Sequence, residues 1–83
     1  MNKTLRYYNV ACWNTSDTAH WQEAKNKEAA IEIHKTEMSD CASGFRSGVF
    51  MSHREMNGWQ KCWELGKPAT PTGTWIVPMT EKK

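Results

Sequence analysis

The chain has 83 residues, 39% of them hydrophobic and 24% charged, with a formal net charge of +2. That length supports a single domain over residues 1–83, and so short a chain buries only about two-thirds of its unfolded surface, which leaves little room for a deep, dry catalytic pocket beside its own core. The composition is that of a globular chain rather than a disordered one, and the mild charge is neither the footprint of a strongly basic nucleic-acid binder nor that of an acidic DNA mimic.

No stretch approaches the roughly 20 apolar residues of a membrane span. The start, MNKTLRYY, lacks the apolar run of a signal peptide, so the expected location is the cytoplasm. Three cysteines, Cys12, Cys41 and Cys62, lie far apart. An odd count without a secretory signal argues for reduced thiols acting as small buried hydrophobes. Five tryptophans are many for this length. Each can bury roughly 150–250 Å², so the rings serve either as core or as a contact surface.

Leu5 to Trp13 (LRYYNVACW) is rich in aromatic and β-branched residues and reads as a strand with Tyr8, Val10 and Cys12 on one face. Asn14 to Thr18 is a cluster of turn formers. Ala19 to Ala24 then reads as a second strand folding back on the first, the alternative being a longer helix that begins near Asp17. Asn26 is a good N-cap, and Glu28 suits the positive end of a helix dipole. The spacing predicts a helix over Lys27 to Met38, with Ala30, Ile33, His34 and Met38 along one stripe.

Gly48 to Met56 and Trp59 to Leu65 flank Asn57-Gly58, a strong two-residue hairpin signal. Such a turn would set Met56 against Trp59, Arg54 against Lys61, Ser52 against Trp63 and Phe50 against Leu65. Thr74 to Pro78 reads as a last short strand at a sheet edge, followed by a frayed polar tail from Thr80 to Lys83. The expected fold is α+β: an antiparallel sheet of four to five strands in the order β-β-α-β-β, with one helix packed on one face.

The face with Val49, Met51 and Cys62 matches that of Tyr8, Val10 and Cys12 in size and polarity, so it is expected beneath the helix. Phe50, Arg54, Trp59, Lys61 and Trp63 would then point outward together and form the candidate partner-binding surface. The competing arrangement places the helix on the tryptophans, with Arg54 and Lys61 extending past the apolar edge.

There is no phosphate-binding glycine loop, no His-Glu-x-x-His helix and no Cys-x-x-Cys pair. His20, His34 and His53 sit singly, without the paired spacing of a zinc site, and Cys62 beside His53 lacks an orienting third group. No catalytic residue, metal or cofactor is expected. His34 reads as a residue at the core boundary with one hydrogen bond satisfied. A protein-binding inhibitor or adaptor therefore leads, since tryptophan and arginine dominate interface hot spots. A small single-stranded nucleic-acid-binding protein, stacking bases on Phe50, Trp59 and Trp63, is the alternative.

The stretches Arg6 to Trp13, Trp21 to Met38, Gly48 to Met51, Asn57-Gly58 and Trp59 to Glu64 resemble, in order and type, small phage-encoded anti-CRISPR proteins, the type I-F inhibitors with a β-β-α-β-β layout. The Gly66 to Gly73 loop and the Trp-rich strand before it depart from that pattern. The resemblance implies a noncatalytic inhibitor in the bacterial cytoplasm. It would dock on the RNA-guided CRISPR surveillance complex and interfere with target DNA binding.

Overall fold

The computed structural model describes residues 5–13, 15–56, 58–61, 63–64, 67–68 and 72–83, the backbone alone for 63–64 and 67–68. In chain order the elements are β1 (Arg6–Trp13), β2 (Thr18–Ala24), α1 (Lys27–Asp40), β3 (Phe45–Ser52), β4 (Gly58–Lys61), β5 (Trp63–Glu64), β6 (Lys67–Pro68) and β7 (Thr74–Glu81). Five strands form one antiparallel sheet in the order β4-β2-β1-β3-β7, and β5 pairs with β6 separately. The α+β class, the single helix and the fifth strand are as the sequence predicts. Among the described residues no helix is long and apolar enough to cross a membrane.

Local chemistry accounts for the first half of the chain. β1 and β2 pair through Tyr7↔Ala24, Asn9↔Gln22 and Ala11↔His20, so residues from Thr18 onward are strand and not the start of a longer helix. The α1 N-terminus is closed by Asn26, whose Oδ1 accepts from the Ala29 amide at 2.8 Å, with Glu28 in the first turn. The helix runs two residues beyond the predicted Met38 and has no basic residue in its last turn. Lys82 supplies one from the other end of the chain: its ammonium donates to the carbonyls of Met38 and Ser39. Backbone bonds between Lys82 and both Gly44 and Phe45 hold it there. Thr80 and Glu81 belong to β7. The frayed tail is thus replaced by a strand whose end caps the helix.

The second half departs from expectation. β4 pairs with β2, through Thr18↔Lys61 and His20↔Trp59, and not with β3. The place beside β3 is taken by β7. Gly58 has the positive φ of 68° that an Asn-Gly corner favours, while Asn57, Leu65 and Cys62 lie outside the described residues. The cause of the departure is tertiary. After Ser52 the chain bends beneath β1, where the Tyr8 hydroxyl donates to the Arg54 carbonyl at 2.8 Å and accepts from the Met56 amide at 2.9 Å. The Met56 side chain enters the core, only 6% exposed. Burial of that side chain and satisfaction of a buried hydroxyl outweigh a local turn preference.

Strand pairing also settles the faces. Opposite residues share a face, so Tyr8↔Phe50 and Val10↔Trp21 place these four together. Cys12, Ala19 and Met56 join them, with Trp75 and Met79 of β7 packed alongside. The rings meet edge to face: Tyr8–Trp21 at 5.9 Å, Trp21–Phe50 at 5.4 Å and Phe50–Trp75 at 4.9 Å between centroids. Each such pair adds about 0.5–1.5 kcal/mol beyond area burial. α1 lies on the opposite face, over β1 and β3. Val49 is beneath the helix as predicted, but Tyr8, Val10 and Cys12 are not, because Val49 pairs with Asn9.

β7 carries one extra residue in each of two register shifts, between Ser47/Val49 and Val49/Phe50. The strand therefore bends over the aromatic face. Gly48 makes the bend possible: a Cβ there would lie 2.8 Å from the Val77 carbonyl oxygen and 3.2 Å from the Met79 amide. Both are backbone atoms and cannot swing away. Gly48→Ala is expected to destabilise the fold by about 1–3 kcal/mol, the usual scale of overpacking; a urea midpoint unchanged from the parent would contradict this account of β7.

Candidate functional site

The five residues expected on one surface are separated. Phe50 is 0% exposed and lies inside the aromatic core, where β7 and the Tyr8-bound crossover need its ring. Arg54 follows the end of β3, in the crossover, and is exposed. Its expected partner Lys61 instead faces Thr18 at the opposite edge of the sheet. The side chain of Trp63 lies outside the described residues, and its backbone pairs with Pro68 and not with Ser52. Trp59 keeps its expected exposure, at 70%, as do Arg54 and Lys61, but the three no longer share one surface.

Trp59 stands opposite His20 rather than Met56. The two rings meet edge to face at 5.3 Å. Parity along β2 and β4 puts Thr18, His20, Trp59 and Lys61 on the helix side of the sheet. α1 sits over β1 and β3, and all four residues remain exposed at the uncovered edge. Sequence reasoning missed His20 and Thr18, because they join the surface only through the β2–β4 pairing. Trp13 is a second exposed ring on this face, 47% exposed and packed against Phe45 at 5.2 Å.

Beneath the helix lies a polar cluster that brings a serine, a histidine and a glutamate together. The Ser47 hydroxyl, on a residue 0% exposed, donates to Glu37 Oε1 at 3.0 Å. It accepts from Asn9 Nδ2 at 3.2 Å. Its remaining lone pair meets His34 Nδ1 at 3.0 Å, so the proton must sit on Nδ1. A hydroxyl has one donor and two acceptor positions, and all three are filled. These residue types suggest nucleophilic catalysis, yet the order is wrong: the carboxylate holds the serine and not the imidazole, and the nucleophile is sealed from any substrate. The cluster works as a latch. It fastens α1 to β1 and β3 where Ala30 is the one buried residue of the helix.

Burial pushes the His34 pKa below the ordinary imidazole value of 6.5, with the Glu37 carboxylate partly opposing the shift. Among the described residues no group of three or more His, Cys, Asp or Glu is placed to hold a metal ion. The placement of Cys62 beside His53 that a two-residue turn would allow falls outside the described residues, since Cys62 is not among them. No protein-family model matches this chain, and no curated protein or solved structure is significantly similar to it.

The latch carries a pH dependence of definite sign. A folded imidazole that resists protonation binds fewer protons than the unfolded one, so stability rises with pH across the gap between the two values. The latch is fully effective above about pH 6.5, the unfolded value, and weakens as pH falls toward the lowered folded value. Melting temperature is expected to drop between about pH 7 and pH 5. In His34→Asn, which keeps a donor near Nδ1 but does not titrate, that drop is expected to shrink. A pH profile identical in both proteins would count against the assignment.

Proposed function

We propose that the chain is a noncatalytic binding protein that inhibits a bacterial RNA-guided defence complex, in the manner implied by its resemblance to type I-F anti-CRISPR proteins. The reading is carried by Trp59. Leaving most of an indole in water forgoes about 3 kcal/mol of transfer free energy, although the same fold buries Trp21 almost completely. Trp59 is held firm by β4 pairing and by the His20 ring, with Lys61 on the same face. Tryptophan is among the residue types most enriched at interface hot spots, and a rigidly held ring loses little entropy on contact.

A standard interface needs roughly 800 Å² per partner. The contact therefore extends from the β2–β4 edge across the exposed side of α1, where Lys27, Glu28, Glu32 and Lys35 supply two charges of each sign. Such a surface recognises its partner through local charge pattern rather than bulk charge. The sealed Ser47 cluster supports a role without catalysis. With Phe50 in the core, a three-ring platform for stacking bases is not available, which favours a protein surface as the target over a bare single strand.

The decisive measurement is target DNA binding by a purified type I-F surveillance complex with and without this protein. Inhibition is expected, together with a stable complex on size-exclusion chromatography. Trp59→Ala and Lys61→Glu are each expected to weaken inhibition about tenfold or more while leaving the melting temperature within a few degrees. Absence of both inhibition and co-elution defeats the reading. Oligonucleotide binding that quenches Trp59 and falls steeply with salt would replace it with the single-stranded nucleic-acid alternative.

A further inference from the structure

A cleft of about 440 Å³ opens where β1 begins, β3 ends and β7 begins. It lies away from the Trp59 surface and shares no residue with it. Its apolar wall is Leu5 and Met51, and His53, Arg54, Thr72 and Thr74 form the polar rim. The volume falls within the range of about 300–1,000 Å³ usual for small-molecule sites.

The walls are fixed to the sheet. Ser52, only 3% exposed, donates from its hydroxyl to the Thr72 carbonyl at 2.6 Å and accepts from the Arg54 amide at 2.9 Å. One buried hydroxyl thereby fastens the segment entering β7 and the crossover leaving β3. Gly73 then lets the first segment press against β3. Its φ is +154°, and a Cβ would stand 2.6 Å from Phe50 Cε2 and closer still to the Met51 carbonyl oxygen. The cleft is therefore formed before any ligand arrives, which spares the ordering penalty that weakens binding by loose loops.

The chemistry of the rim selects the ligand. Arg54 is exposed, and its guanidinium makes no hydrogen bond or ion pair with any described residue. A guanidinium is permanently charged, and its planar fork matches one carboxylate bidentately. One guanidinium, the His53 imidazole, two threonine side chains and an apolar wall suit a singly charged head on an apolar body better than a polyphosphate. We infer that this cleft binds a small carboxylic acid with an aliphatic or aromatic body, its carboxylate on Arg54 and its body against Leu5 and Met51.

Octanoate and its neutral counterpart octanamide, titrated into isotope-labelled protein and followed by backbone amide shifts, test the inference. Octanoate is expected to give saturable shifts at Met51, Arg54 and Thr74, and octanamide to bind about tenfold more weakly, the scale of a charge-assisted hydrogen bond. Arg54→Gln is expected to raise the octanoate Kd roughly ten- to hundredfold and abolish the preference for the acid. Lys83→Gln, which removes an exposed cation beside the start of β3, leaves the Kd unchanged. Thr74→Phe, which narrows the mouth without altering charge, weakens both probes. Absence of saturable shifts, equal binding of acid and amide, shifts centred on β4, or an Arg54→Gln protein that binds octanoate like the parent each overturn it. None of these outcomes bears on the Trp59 surface.

Discussion

The hydroxyl of Tyr8 is the point on which the strand order turns. It sits on a fully buried residue, where an unpaired hydroxyl costs about 1–3 kcal/mol, and the crossover after β3 satisfies it twice over. To reach it the chain must pass beneath β1, which carries Met56 into the core and delivers the next strand to the far side of β2. The outer edge of β3 is left for β7. The placement of Trp59 beside His20, the exposure of Arg54 and the cleft at the end of β3 all descend from that one crossing.

The sheet consequently has two differently built faces. One is a cluster of rings at edge-to-face angles, covered by the bend of β7 and by Met56. The other holds the helix through a saturated serine hydroxyl and a single buried alanine. What the fold does present is rigid geometry at its margins: an anchored indole at one edge of the sheet, and a preformed cleft near the other. Rigid presentation of this kind lowers the entropy lost on association.

Local signals in the sequence were reliable where local chemistry decides. The Asn26 cap, the strands on either side of the turn at 14–18 and the positive φ at Gly58 were all readable, since each depends on a few adjacent residues. Strand order was not. Asn-Gly specifies a corner but not the strand that receives the chain, and the receiving strand was chosen by contacts of Tyr8 with residues 46 and 48 positions away. Face parity failed for a related reason. Val49, Phe50 and Met51 form a continuous apolar run, because β3 is covered on both sides, and an apolar run carries no alternation to show which residue faces the rings. Trp59 was legible as exposed, though its neighbours His20 and Thr18 emerge only with the pairing of β2 and β4.

The order β4-β2-β1-β3-β7 has a kinetic corollary. Only β1 and β2 are joined as a tight hairpin; every other pairing in the sheet closes a long loop, and the last strand must return to cap a helix completed some forty residues earlier. Closing such loops draws on chain entropy before any contact is gained. Domains with this share of distant pairings reach the native state on the order of milliseconds to seconds, not microseconds. Throughout that interval the ring-bearing side of the sheet waits without its cover, so the assembly of this protein depends on how quickly Met56 and β7 arrive.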